Sequence, residues 1–568
     1  MQQIFKRGII NGIIGLLFLV NLTTQAQQVQ VEYDTKRKEN VFTNKKGKVI
    51  PTEELQQFEE LIIHYQANVF IPRLIGQLKN LKILNFHHCK NIVLPKEIGQ
   101  LTQLQELNLA HCKLIKLPLE IGKLKNLRIL NLSSNKLKKF PPALFQLTKL
   151  EELYLHANRY LTNIPSEIGK LKNLKILNIN GVNCSYLPPQ IGALTKLEEL
   201  YISNPLRKLP QEISNLKSLR ELVMSGNSLK RIPSVIFKLK QLESLYLSNN
   251  YITDLPPEIG KLTALRLLKL RRNKITRIPY ELGQLKHLEA LDLMSNKINY
   301  VPSWIGNLNE LKLLNLSYND IHKLPLELGK LRKLEKLYLG YNELSYVGAI
   351  YQFKNLRTLD LSHNHLRSLT SVMYPLKHLR SLNVSHNKLL EIPTDLGQLT
   401  SLKYLQLQNN QIKSLPPEIT LLPHLTLLNV SSNQLQNIAF DISQLHMLKH
   451  LKLGNNKLGK FPLGTTKLRQ LQTLELRKNQ IQEIPKEIVK LTHLSTLDLS
   501  NNQIKSLPTS LGGRSFYKLN LANNQLKKLS AKFYKSSFDE HLYLHGNPLS
   551  NKQRVMVKER WGDKASLD

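Results

Sequence analysis

Residues 242–262 read L-E-S-L-Y-L-S-N-N-Y-I-T-D-L-P-P-E-I-G-K-L, and after Thr263 and Ala264 the pattern restarts at Leu265. Leu242, Leu245, Leu247 and Asn250 form an L-x-x-L-x-L-x-x-N half, and Ile252, Leu255-Pro256, Ile259 and Leu262 complete it. The period from Leu242 to Leu265 is 23 residues. Working outward, the pattern holds from Phe58 to a last copy with Leu542, Leu544 and Asn547, which makes 22 copies. Self-similarity at such a period is the signature of a solenoid, because one unit this short cannot bury its own apolar face. A length of 568 residues is then accommodated by growth along one axis, since a single compact core stops growing at roughly 250 to 300 residues.

The physics of one copy follows from its residues. The L-x-L stretch reads as a short strand that turns two leucines inward. The ninth-position Asn is placed to bond backbone groups that a tight turn leaves unpaired. Pro256 has its φ preset and ends the extended stretch before it. The ninth position reads Gln66, Cys89, Cys112, Asn135, Asn158, Val182 and Pro205, then Asn in every copy from Asn227 to Asn547. The expected architecture is an α/β solenoid: a horseshoe with a parallel concave sheet and short helical or irregular convex segments. Atypical copies fall at Val182 and Pro205, and again between Val347 and Pro375, where two LP pairs become Val347-Gly348 and Leu369-Thr370.

On these residues the chain resembles the leucine-rich-repeat family. Its LPxxIGxL half is similar to the 23-residue class found in Ras-group and SHOC-type signalling scaffolds. The resemblance implies the fold for about nine tenths of the chain. It also implies, as one option, an intracellular scaffold that docks a small GTPase or phosphatase.

The ends read differently. Residues 1–26 carry Lys6 and Arg7, then an apolar run from Ile9 to Val20, and close on Thr24-Gln25-Ala26. That is the layout of a signal peptide, and the run is shorter than the ~20 residues of a spanning helix. Export to the periplasm, cell surface or medium is therefore expected, with a cytoplasmic location as the alternative. Residues 27–57 and 548–568 are polar and out of register and are expected to cap the array of residues 58–547.

Positions 2, 3, 5, 7 and 8 of each copy should point out of the sheet. Position 2 alternates in sign through Arg128, Glu151, Lys175, Glu198, Arg220, Glu243, Arg266, Glu289, Lys312, Glu335 and Arg357, a ladder in which neighbouring strands attract. Position 5 carries Tyr154, Tyr201, Tyr246 and Tyr338. Aromatic anchors of low conformational entropy favour protein interfaces, so these tyrosines are candidate partner-binding residues; packing across strands is the competing role. Arg266, Lys269, Arg271 and Arg272 in one copy form a basic patch, suited to an acidic partner loop or to pairing with Glu289 and Asp292.

Other groups of chemical interest have structural readings. His64, His87, His88 and His111 converge near the N-terminal end, but without a carboxylate or thiolate at set spacing no metal is assigned. Cys89 and Cys112 occupy consecutive ladder positions and are expected to be buried free thiols, as is Cys184. Phosphate loops, nucleophile elbows, Cys-x-x-Cys pairs and H-E-x-x-H are missing from the sequence, so neither enzyme activity nor a cofactor is expected.

Charge completes the picture. Lys and Arg number 80 against 42 Asp and Glu, a net of +38. The outward sheet columns are nearly balanced, so the excess lies on rims such as Lys136, Lys138, Lys139, Arg207, Lys208, Lys230 and Arg231. The aromatic residues sit on the balanced face and not among these cations, which disfavours nucleic acid. A protein partner on the concave face is the leading expectation, with lipopolysaccharide or acidic glycans on the basic rims as the alternative.

Overall fold

Pairing of successive three-residue strands at the repeat period organises the chain. In the computed structural model, residues 27–34, 39–44, 46–64, 70–87, 89, 91–369 and 374–567 are described. The 1–26 segment, His88 and the side chains of His64 and His87 lie outside that set. Two units are distinguished, Met1–Asn250 and Tyr251–Asp568.

In the first unit, the strand Gln27–Asp34 pairs antiparallel with Glu39–Thr43 and parallel with Glu60–His64. Parallel pairing then continues strand by strand to Ser244–Tyr246, with Tyr154 opposite Asn131 and Asn178, and Val223 opposite Tyr201 and Tyr246. In the second unit the same ladder runs from Leu267–Lys269 to Thr496–Asp498. It ends on the longer strands Ser515–Asn520 and Ser537–Tyr543 and the short Ala565–Ser566.

The leucine pattern explains the core. Leu242, Leu245, Leu247, Ile252, Ile259 and Leu262 are all fully buried, each such side chain contributing roughly 1.5 to 3 kcal/mol of transfer free energy. The returning segment is a single 3-10 turn: Pro256 precedes Pro257–Lys261 with φ −74°, and the Leu262 N–H closes on the Ile259 carbonyl. The Gly of the IG pair is dictated by its neighbour, since a Cβ on Gly260 would lie 2.6 Å from the Glu281 carbonyl oxygen of the next turn.

The ladder asparagine does what its position demands. Asn319 Nδ2 donates to the Leu293 and Leu316 carbonyls, each at 3.0 Å, while its Oδ1 accepts from the Ile298 N–H at 3.0 Å. Where Pro205 holds the ninth position, Asn204 substitutes: its Nδ2 reaches the Ile179 carbonyl at 3.0 Å and Cys184 Sγ at 3.1 Å. Cys89, Cys112 and Cys184 are buried free thiols. Burial pushes the Cys112 thiol up to about 12 and that of Cys184 to about 11, so both stay protonated and act as core residues.

At the C-terminal end, helix Asn551–Trp561 starts on Ser550, whose hydroxyl accepts the Gln553 N–H. Its Trp561 packs edge-on against Phe533 and Phe538 at 5.8 and 5.4 Å and stacks on Tyr534 at 5.5 Å. No helix of the described residues is long and apolar enough to cross a membrane.

Candidate partner-binding face

Column 2 is the charge ladder. Glu151 bridges Arg128 at 2.7 Å and Lys175 at 2.8 Å, and Glu289 bridges Arg266 at 2.9 Å and Lys312 at 2.7 Å. Arg220 meets Glu243 at 3.3 Å and Arg357 meets Glu335 at 3.9 Å. The hydrogen bonds from Arg128 and Lys175 hold the Glu151 carboxyl down at about 2. The cations are exposed and the carboxylates at least partly open to solvent, so each pair is worth roughly 0 to 1 kcal/mol and sets register more than stability.

The tyrosines of column 5 are set into the sheet. In the first unit, the Tyr154 hydroxyl donates to Glu152 Oε2 at 2.8 Å and the Tyr201 hydroxyl to Glu199 Oε2 at 2.7 Å. Tyr246 is only 8% exposed. Burial, reinforced by the neighbouring glutamates, pushes all three phenols above their ordinary range. Their hydroxyls therefore remain protonated, and two of them are already engaged on their own strand.

In the second unit, Arg266 is tied to Glu289. Lys269 stands in register with Asp292, whose carboxyl is raised by burial while Lys269 and Arg271 pull it the other way. Arg272 is exposed, on left-handed backbone with φ 54°. Tyr338 lies elsewhere in this unit, in register with Asn315 and Asp360. Within this unit Tyr338 is thus three strand steps from Lys269 of the basic copy. His111 is exposed with φ 61°, and no group of three or more His, Cys, Asp or Glu able to hold a metal forms among the described residues.

Tyr338 lines a groove of about 440 Å³ on the outward face of the second unit. Its floor is column 7, where Ser317, Gly340, Ser362 and Ser385 are small. One wall is column 5, with Asn315, Tyr338, Asp360 and Asn383; the other is column 8, with Tyr318, Tyr341, His363 and His386. The column 8 rings stack one on the next, centroids 4.0, 3.8 and 3.8 Å apart. Sequence reasoning on column 5 found Tyr338 alone. The signal for the rest was present in column 8, where four successive copies carry an aromatic ring at a position held elsewhere in this unit by Arg, Ser, Asn, Lys or Gly.

Parallel strands stacked at the repeat period, an internal asparagine ladder and 3-10 returns between successive strands define a leucine-rich-repeat solenoid. The chain belongs to the leucine-rich-repeat family: the model described as "Leucine-rich repeat region" matches residues 60–163, 153–227, 257–387 and 341–462. The one described as "Leucine Rich repeats (2 copies)" matches 217–259 and 469–512.

Among solved structures, a Leptospira interrogans LRR protein is 30% identical, with 81% of this chain and 95% of that chain covered and a TM-score of 0.55. The plant peptide hormone receptor RGFR1 in complex with RGF2 is 26% identical over 92% of this chain and 95% of that one, with a TM-score of 0.64. The Arabidopsis receptor kinase HAESA, in complex with the peptide hormone IDA and the co-receptor SERK1, is 27% identical over 85% and 89%, with a TM-score of 0.57. No curated protein is matched by the sequence.

Proposed function

We propose that this chain is a non-enzymatic recognition protein whose outward sheet face, the concave side in this architecture, binds a peptide or protein partner. The observation that carries the reading is the groove beside Tyr338, where small floor residues open the sheet between polar and aromatic walls. Similar solenoids with peptide hormones bound support it. The tyrosines of the first unit and, in the second, the basic patch at Arg266, Lys269, Arg271 and Arg272 are proposed as further contact positions on the sheet face of their own units. The test is capture of displayed peptides by the full chain, compared among Tyr201→Ala, Tyr246→Ala, Tyr338→Ala and, on a returning turn, Tyr280→Ala. Capture that falls only with Tyr280→Ala removes the sheet face from the account.

The chain is proposed to be exported, on the layout of residues 1–26; N-terminal sequencing that finds an intact Met1 in the cytosol overturns this. That result would favour the resemblance to Ras-group scaffolds and a GTPase or phosphatase as partner. A second reading rests on the net charge of +38: basic rims adhering to lipopolysaccharide or acidic glycans. Such adhesion must weaken steeply with salt, because the cations are exposed and screened.

A further inference from the structure

Tyr318, Tyr341, His363 and His386 all sit on left-handed backbone, with φ of 56°, 57°, 50° and 54°. Such a conformation suits Gly or Asn, and a bulky residue there costs on the order of 1 kcal/mol or more. The positive φ recurs at column 8 through the unit, from Arg272 to Asn523, but in these four consecutive copies the side chains are stacked rings that raise one continuous wall, and the groove lies along it. What distinguishes this place in a regular array is the run of stacked rings, a surface that the copies on either side do not carry.

The hydrogen-bonding atoms left over in the groove define what it can hold. On column 5, the Oδ1 atoms of Asn315, Asp360 and Asn383 accept the N–H groups of Ser317, Ser362 and Ser385 at 3.1, 2.9 and 3.1 Å. That leaves the Nδ2 donors of Asn315 and Asn383 and Oδ2 of Asp360 without a hydrogen bond among the described residues. At the end of the groove, Gln408 Oε1 is buried and has no partner among them. Two amide donors therefore flank one carboxylate acceptor. Asn315 and Asn383 are three strand steps apart, about 14 Å, which an extended chain spans in about four residues. Carbonyls at that separation in a strand point to the same side.

Charge selects the side chain. Asp360 is the one carboxylate in the lining, set beside the electron-rich ring of Tyr341 in a chain whose net charge is +38. A Lys or Arg of a bound segment gains a charged hydrogen bond there and can lie against the aromatic wall. Ring faces within the wall are covered by their neighbours, so a sugar ring finds few open faces to stack on, whereas ring edges, serine hydroxyls and amides suit a peptide backbone.

We infer that the groove between Asn315 and Asn383 binds an extended peptide segment carrying a Lys or Arg, with Asp360 receiving the cation. This rests on the sheet-face reading above and narrows it to one site and one ligand chemistry. The test is selection of a random hexapeptide library on the full chain, followed by affinities of the selected synthetic peptides for wild type, Asp360→Asn and Gly340→Val. Asp360→Asn keeps the bond to the Ser362 N–H, as Asn383 on the next strand and Asn315 two strands away do with Ser385 and Ser317, and removes only the charge, so it should fold. Gly340→Val fills the floor, where a Cβ would already lie 2.9 Å from Ser362 Oγ.

The expected result is a basic residue at a fixed position, and about tenfold or greater weakening in Asp360→Asn, the scale of a charge-assisted hydrogen bond. Peptides that bind yet are insensitive to both variants overturn the groove assignment and leave the sheet-face reading standing. Selection of peptides without Lys or Arg overturns the charge assignment. Failure to select any peptide, or capture of a neutral oligosaccharide in the groove instead, overturns the inference together with the reading beneath it.

Discussion

The imidazole of His363 lies flat on the ring of Tyr341, centroids 3.8 Å apart and planes within 12°, although both residues occupy left-handed backbone. The stack continues to His386, whose Nε2 is 3.0 Å from Asn409 Nδ2. Burial first, and the facing His386 second, hold His363 below its ordinary value of 6.5, with Asp360 pulling the other way. His363 is therefore neutral at pH 7, and protonating it places a cation in the wall next to Asp360.

A pH dependence of binding follows. The affinity of a Lys- or Arg-bearing peptide should be flat above 6.5 and decline below it, and a His363→Gln variant should flatten the decline. The stability contribution has the same direction: a base whose folded value is depressed costs nothing above the unfolded value and destabilises as pH falls through it. Titrating peptide affinity against pH in both proteins checks the sign, and an affinity that rises on acidification contradicts it.

Replacing Asn319 by Ala should destabilise the second unit by about 3 kcal/mol, because the buried carbonyls of Leu293 and Leu316 and the Ile298 N–H all lose their partner. Chemical denaturation with hydrogen exchange would show protection lost first on the flanking copies, since each repeat leans only on its neighbours.

The acid limb has a separate origin in the first unit. Glu151 titrates at about 2 in the fold against an ordinary 4.5, so its contribution is present above 4.5 and is lost as pH falls toward 2. In Glu151→Gln the loss of stability over that window should be shallower, as read by thermal melts across acidic pH. The change will be small, because Arg128 and Lys175 are exposed partners.

We propose that the C-terminal helix protects the end of the sheet. Trp561 is half-buried, so Trp561→Ala should then cost less than the roughly 3 to 5 kcal/mol of removing a fully buried aromatic, with exchange protection lost from Ser537–Tyr543 before the middle of the unit. Equal loss along all strands would contradict a capping role.

Much of this was legible from residues 242–264 alone. The leucine spacing specified the strand, the asparagine its ladder bonds and the Pro its turn, because each is a local consequence of backbone chemistry repeated at a fixed period. The sign alternation of column 2 likewise became the observed bridges at Glu151 and Glu289. The groove was not legible. Column 5 tyrosines stand out in the sequence, yet Tyr154 and Tyr201 spend their hydroxyls on Glu152 and Glu199, a partnership within one strand that spacing cannot distinguish from display. The wall at Tyr318 and His363 depends on the positive φ that column 8 keeps from copy to copy, which brings successive rings face to face in a way that spacing alone does not show. The shift from Pro205 to Asn204 was hidden for the same reason: spacing counts positions, while the bond needs only an amide within reach.

The outward sheet face of the second unit is proposed to take the partner. The most direct measurement places a photo-crosslinking side chain at Tyr338, in the groove, and in a second protein at Tyr280, which is 66% exposed on a returning turn, and identifies what each captures from a pool of selected peptides. Crosslinks are expected from Tyr338, competed away by unlabelled basic peptide, and none above background from Tyr280. Crosslinks confined to Tyr280, or equal from the two positions, would contradict it.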